Sequence, residues 1–126
     1  MDAGRSVSEA TDAAAARKLK GPARDQISIA PVLAALSDPM RLAIVCKLAD
    51  GCELSCGSLG PAVAKSTLTH HLKVLREAGV ITQRAVGTSK MTCLRREDLD
   101  ARFPGLLDSV LSGAAKRRRT VDLPRR

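Results

Sequence analysis

Aromatic side chains are almost missing from this chain of 126 residues: Phe103 stands alone, with no Trp and no Tyr. A core must therefore be assembled from Leu, Val, Ile and Ala, which bury less area per residue than rings do. At this length one core is all the chain can support, and a thin core favours dimerisation. The same shortage weighs against RNA recognition, which stacks unpaired bases on aromatic faces. Also missing is any apolar run near the roughly 18 residues a membrane span takes. The start, MDAGRSVSEATDAAAARKLK, lacks the charged-then-apolar order of a secretory leader. A cytoplasmic location is expected, in which Cys46, Cys52, Cys56 and Cys93 are reduced thiols rather than a disulfide framework.

Enzyme signatures are absent too. No Gly-rich phosphate loop, HExxH motif or nucleophile elbow occurs. Cys52 and Cys56 are separated by three residues rather than the two of a thioredoxin-like site, with no alternating strand and helix pattern around them. A small thiol oxidoreductase is thus the weaker alternative; no catalytic residue and no cofactor is expected.

What the chain does have is positive charge, +8 overall, and its placement says more than its total. Residues 1–26 are nearly balanced, and residues 114–126 carry six basic groups against one acidic. Within the body, residues 65–96 hold Lys65, Lys73, Arg76, Arg84, Lys90, Arg95 and Arg96 against Glu77 alone. The rest of the body is acidic, so charge is polarised onto one segment.

Residues 1–26, rich in Ala, Ser and charge and broken by Gly21-Pro22, read as a disordered N-terminal arm. Residues 27–113 form the expected domain, and residues 114–126 a basic flexible tail. IAPVLAALSDP gives a short apolar helix around Pro31 to Leu36, after which Ser37-Asp38-Pro39 supplies a cap and a first-turn proline. MRLAIVCKLADG follows as a second helix, with Leu42, Val45 or Cys46, and Ala49 on one face. ELSCGSLGPAVA fits only one or two turns, broken by Gly57, Gly60 and Pro61. KSTLTHHLKVLREAG is a third helix, capped by Ser66 or a neighbour and ended by Gly79. VITQRAV and KMTCLR then read as a hairpin about Gly87-Thr88-Ser89, and a last helix is centred on Pro104 to Leu111.

This order, a helix-turn-helix pair followed by a hairpin and a closing helix, is that of a winged helix: mainly α with a small β-hairpin. Its third helix would enter the DNA major groove, which admits a helix and shows a distinct pattern for each base pair. At about 100° per residue, Leu68, Leu72 and Leu75 make one inward stripe. Ser66, His70 and Lys73 fall opposite, flanked by Thr67 and Thr69, while His71 borders the core. His70 is then suited to base edges or phosphates, and His71 to a partly buried hydrogen bond. Ser66 and Thr67 can cap the helix, touch DNA, or both. Lys73 or Arg76 alone would be an ordinary solvated face, but the clustering of charge favours phosphate contact. Arg84 and Lys90, flanking the hairpin turn, would extend that contact as a wing. The DNA-binding set is thus Ser66, Thr67, Thr69, His70, Lys73, Arg76, Arg84 and Lys90.

LSDPMRLAIVCKL, ELSCGSL and KSTLTHHLKVLREAGVI resemble the ArsR/SmtB group of winged-helix repressors, over about residues 30 to 112. The resemblance implies a homodimer joined through Ile29 to Leu36 and Phe103 to Leu111, a partly palindromic double-stranded DNA operator, and repression released by an inducer. Arsenic-sensing relatives carry a Cys-x-Cys pair where this chain has Ser55 and Gly57 around Cys56. Zinc-sensing relatives carry Asp and His on the last helix, where this chain has Asp108 and no histidine. A tetrahedral zinc site needs three or four converging ligands, so no metal site is expected. A thiol switch through Cys46, Cys52 and Cys56 is the remaining sensor alternative, against small, buried, structural cysteines.

Overall fold

The computed structural model describes residues 17–51, 53–55 and 64–122. In chain order it holds β1 (Arg17–Lys18), a 3-10 turn (Arg24–Gln26), α1 (Ile29–Leu36), α2 (Pro39–Asp50) and β2 (Leu54–Ser55). Then come α3 (Lys65–Ala78), β3 (Ile81–Val86), β4 (Ser89–Leu94), α4 (Arg96–Arg102) and α5 (Leu106–Asp122). Among the described residues, five helices and one small antiparallel sheet make a winged helix-turn-helix. The turns expected within 56–63 lie outside the described residues.

Asp38 sits in extended backbone before α2, accepts the Arg41 backbone N–H at 3.0 Å, and is followed by Pro39 at the first position. This cap separates α1 from α2, which cross at 100°. Arg41 completes the corner: its Nε donates to the Ala35 carbonyl at 2.7 Å, satisfying a C-terminal group of α1 that would otherwise lack a partner. The buried face of α2 is Ile44, Val45 and Leu48 rather than the Leu42 to Ala49 stripe expected. Leu42, Cys46 and Ala49 are half-buried. That helix is apolar nearly all round, so its period does not select a face.

Gly79 ends α3 at φ 92°, and the Val80 N–H donates back to the Leu75 carbonyl at 2.9 Å. This closes the helix with the left-handed residue that glycine adopts at least cost. The chain turns directly into β3, which pairs with β4 from Ile81 opposite Leu94 to Val86 opposite Ser89. Sheet order is β1-β3-β4-β2. The core lies where α1, α2, α3 and the sheet meet, with Val32, Val45, Leu75, Val80 and Ile81 fully buried.

Three expectations need correction. Residues 17–26 are not a disordered stretch: β1 pairs with β3, Arg17 opposite Ala85 and Lys18 opposite Arg84. The signal missed was that arginines of the body supply partners for this segment, which has no apolar period of its own. The closing helix is two helices, because Phe103-Pro104-Gly105 interrupts it and Gly105 takes φ 85°. Finally, α5 runs on to Asp122, through most of the stretch expected to be a flexible tail. No single helix among the described residues is long and apolar enough to cross a membrane.

Candidate nucleic-acid interface

The leucine seam of α3 is buried as its spacing predicts, with Leu68, Leu72, Leu75 and Ala78 facing inward. Rotation about the same helix leaves Lys65, Ser66, Thr67, Thr69, His70 and Lys73 exposed. The N-terminal cap position is Ala64, which offers no side-chain bond, so Ser66 does not cap the helix. Its hydroxyl, and that of Thr67, stands in the first turn with unpaired backbone N–H groups near it, a setting that suits an approaching phosphate.

His71 is 13% exposed and faces the α1–α2 corner. Its Nδ1 lies 3.2 Å from the Arg41 guanidinium and its Nε2 lies 4.0 Å from Asp38. A guanidinium only donates, so His71 Nδ1 is the accepting atom of this bond. The adjacent histidines therefore do different work: His71 ties α3 to the α2 N-terminus, and His70 is presented outward. Asp38 is held below the ordinary carboxylate range, first by the Arg41 backbone N–H and further by the nearby His71 and Arg41.

Between the start of α3 and the hairpin turn lies a cleft of about 500 Å³, lined by Lys65, Thr69, Thr88, Ser89 and Lys90 among others. Hydroxyls and ammonium groups converge on it from helix and wing. Lys65, Lys73 and Lys90 are exposed, and their ammonium groups make no hydrogen bond or ion pair with a described residue. Lys65 belongs to the basic cluster in the sequence but was not singled out there; its place at the mouth of the cleft follows from where α3 begins.

The arginines of the cluster behave otherwise. Arg84 donates to both Glu53 oxygens, at 2.7 and 2.9 Å, tying the wing to the segment before β2. That bond holds the Glu53 carboxyl below its usual range. Arg76 donates from Nε to the Lys20 carbonyl at 3.0 Å and from its other end to Gln83 Oε1 at 2.7 Å. Gln83 in turn donates to Thr92 Oγ1 at 3.3 Å, so the buried polar pair of the sheet is satisfied. Arg95 reaches Asp98 and the Pro22 carbonyl, and Arg96 reaches Asp108. Of the eight residues expected to meet DNA, Ser66, Thr67, Thr69, His70, Lys73 and Lys90 thus lie on one exposed surface. Arg76 and Arg84 are turned to internal bonds, because planar guanidinium groups match carbonyl and carboxylate partners better than ammonium groups do.

Cys46 and Cys93 are half-buried and not joined by a disulfide. Cys52 and Cys56, which with Cys46 made up the expected thiol switch, lie outside the described residues. Among the described residues no group of three or more His, Cys, Asp or Glu could hold a metal ion.

An exposed, hydroxyl-rich and cationic helix set beside a hairpin defines a winged helix-turn-helix DNA-binding domain. A family model described as a helix-turn-helix domain matches residues 36–84, the span from the end of α1 to the middle of β3. The Uncharacterized HTH-type transcriptional regulator YceK of Bacillus subtilis (strain 168) is 40% identical over 89 residues, covering 68% of this chain and 88% of that protein. The Biofilm growth-associated repressor of Xylella fastidiosa is 41% identical over 58 residues, 44% of this chain and 50% of its own length. A crystal structure of an ArsR family transcriptional regulator shares the fold, with a TM-score of 0.53 at 20% identity over 72% of this chain and 96% of that one. The chain belongs to the HTH-type transcriptional regulators, and its fold is the winged helix-turn-helix.

Proposed function

We propose that this protein is a cytoplasmic, homodimeric repressor that seats α3 in the major groove of a partly palindromic operator and lays its wing on the neighbouring backbone. It acts by occupancy, without catalysis and without a cofactor. One observation carries the reading: the buried leucine seam of α3 turns Ser66, Thr67, Thr69, His70 and Lys73 outward together, next to Lys90 of the wing. Thr69 and His70 are placed to read base edges, Ser66 and Thr67 to bond edges or phosphates at the helix start, and the lysines to meet phosphates. Arg84, held by Glu53, fixes the wing rather than touching DNA.

Dimerisation is supported by apolar surface that one copy leaves uncovered. Ile29 and Leu33 on α1 are 42% and 48% exposed, and Leu106, Val110 and Leu111 on α5 are only half-buried. Two copies of α3 related by a two-fold axis would meet successive major grooves, so the operator should show matching half-sites about one helical turn apart.

The test is selection of duplexes from a random-sequence pool by the full-length protein, followed by gel shifts of the enriched fragment and a scrambled control. Inverted half-sites and a sub-micromolar shift on the enriched fragment alone are expected. A pool that never enriches, with equal binding to the scrambled duplex, would overturn the reading.

A further inference from the structure

Residues 17–27 reach the DNA-facing side of the molecule by an unusual route. β1 runs antiparallel along the outer edge of β3, and just past it the Leu19 N–H donates to the Gln83 carbonyl at 2.9 Å. Leu19 lines a cleft of about 180 Å³ together with Thr69, Lys73 and Lys90, three residues of the proposed DNA surface. Just past β1 the chain thus lies beside both α3 and the wing. Arginines of the body hold it by its carbonyls: Arg76 on Lys20 at 3.0 Å, Arg95 on Pro22 at 2.7 Å, and Arg102 on Ile27 at 3.1 and 2.8 Å. Arg24 adds a bond to Asp98 at 2.6 Å. These are charge-assisted bonds, stronger than neutral ones, and they fix the path of the backbone.

The lysines of the segment are treated in the opposite way. Lys18 and Lys20 are exposed, and their ammonium groups make no hydrogen bond or ion pair with a described residue. Lys18 lies directly opposite Arg84 and so shares its face of the sheet, whereas Ala85 and Lys90, opposite each other, share the other. A hairpin approaching a minor groove meets two phosphate chains, one along each face. Lys90, with Lys73 beside it, supplies cations on one side. The other side is supplied by the added strand.

We propose that β1 and the residues just after it form a third strand of the wing that binds double-stranded DNA, with Lys18 and Lys20 meeting phosphates beside the segment read by α3. The proposal rests on the regulator reading above. Its competitor is edge protection: lysine on an exposed edge strand also blocks pairing with a second chain, with no DNA involved.

The two are separated by salt titration of the full-length protein on its selected duplex and on a mixed-sequence duplex several turns long. Lys18→Ala with Lys20→Ala is compared with Lys18→Gln with Lys20→Gln, which keeps much of the aliphatic stem, and with the Arg pair, which keeps the charge. Both neutral pairs are expected to flatten the slope of log affinity against log salt by about two on either duplex, while the Arg pair restores it. Slopes and affinities equal to wild type in both neutral pairs would overturn the proposal and leave edge protection. Wild-type protein that binds neither duplex overturns the regulator reading itself, a result distinguishable from the first.

Discussion

The Arg84 guanidinium of the wing and the Glu53 carboxylate before β2 form a two-bond pair, at 2.7 and 2.9 Å, that bridges the hairpin to the helix-turn-helix linker. Both side chains are partly solvated, 44% and 31% exposed, so the pair contributes no more than about 1 kcal/mol. Glu53→Gln should therefore lower the melting temperature by only a few degrees at neutral pH. The Arg84 bond holds the folded-state Glu53 carboxyl below its usual range. Its stabilisation is thus present above the ordinary Glu range and is lost as pH falls through the lowered folded value. Melting curves of the two proteins should converge as the pH is brought below the carboxylate range. A gap that persists unchanged in acid would mean the pair is not what Glu53 contributes.

The same bond changes what Arg84 can do on DNA. The Lys73 and Lys90 ammonium groups are exposed and have no partner among the described residues, whereas Arg84 is committed to Glu53. Lys73→Ala and Lys90→Ala should each flatten the salt slope of DNA binding by about one unit, on any sequence. Arg84→Ala should leave that slope near wild type. Equal slope losses at all three positions would show that the Arg84–Glu53 pair opens on DNA.

Gly79 carries the turn from α3 into the wing. At φ 92° a side chain is strained, and a Cβ there would lie 2.7 Å from Ile27 Cγ1 and 3.2 Å from Pro22 Cγ. Gly79→Ala should cost roughly 1–3 kcal/mol from backbone strain and the displaced Ile27 together. The midpoint of urea unfolding measures it, and an unshifted midpoint would show that the Ile27 side yields freely. DNA affinity should fall as well, because Ile27 and Pro22 belong to the segment that Arg76 and Arg95 hold against the wing.

Where a residue's own chain neighbours decide its position, the sequence was legible. The leucines at 68, 72 and 75 recur at helical spacing, so the inward and outward faces of α3, and the separate fates of His70 and His71, followed from rotation alone. The Asp38-Pro39 start and the Gly79 stop were legible for the same reason. Long-range pairing was not. Arg76 and Arg84 looked like members of a basic patch because Lys20 and Glu53, their partners, lie 56 and 31 residues away. Residues 17–26 looked disordered because their partners are carbonyl-seeking arginines of the body and strand β3, neither of which leaves a period in the segment itself. The break at Phe103 to Gly105 was carried by a Pro-Gly pair, which marks a turn more strongly than it marks the middle of a helix.

The adjacent histidines give the sharpest separation of fold from function. His71 is 13% exposed and bonded to Arg41, which also holds the Ala35 carbonyl at the end of α1. Removing its ring should cost about 1 kcal/mol for the lost bond and leave Arg41 without one partner. His70, exposed on the outer face, has no such bond within the described residues. His70→Ala should then unfold at the wild-type urea midpoint while losing discrimination between the selected operator and a duplex mutated in one half-site. His71→Ala should show the reverse, a lower midpoint with discrimination retained at temperatures where it stays folded. Discrimination unchanged in His70→Ala would remove that side chain from base readout and leave Ser66, Thr67 and Thr69 to provide it.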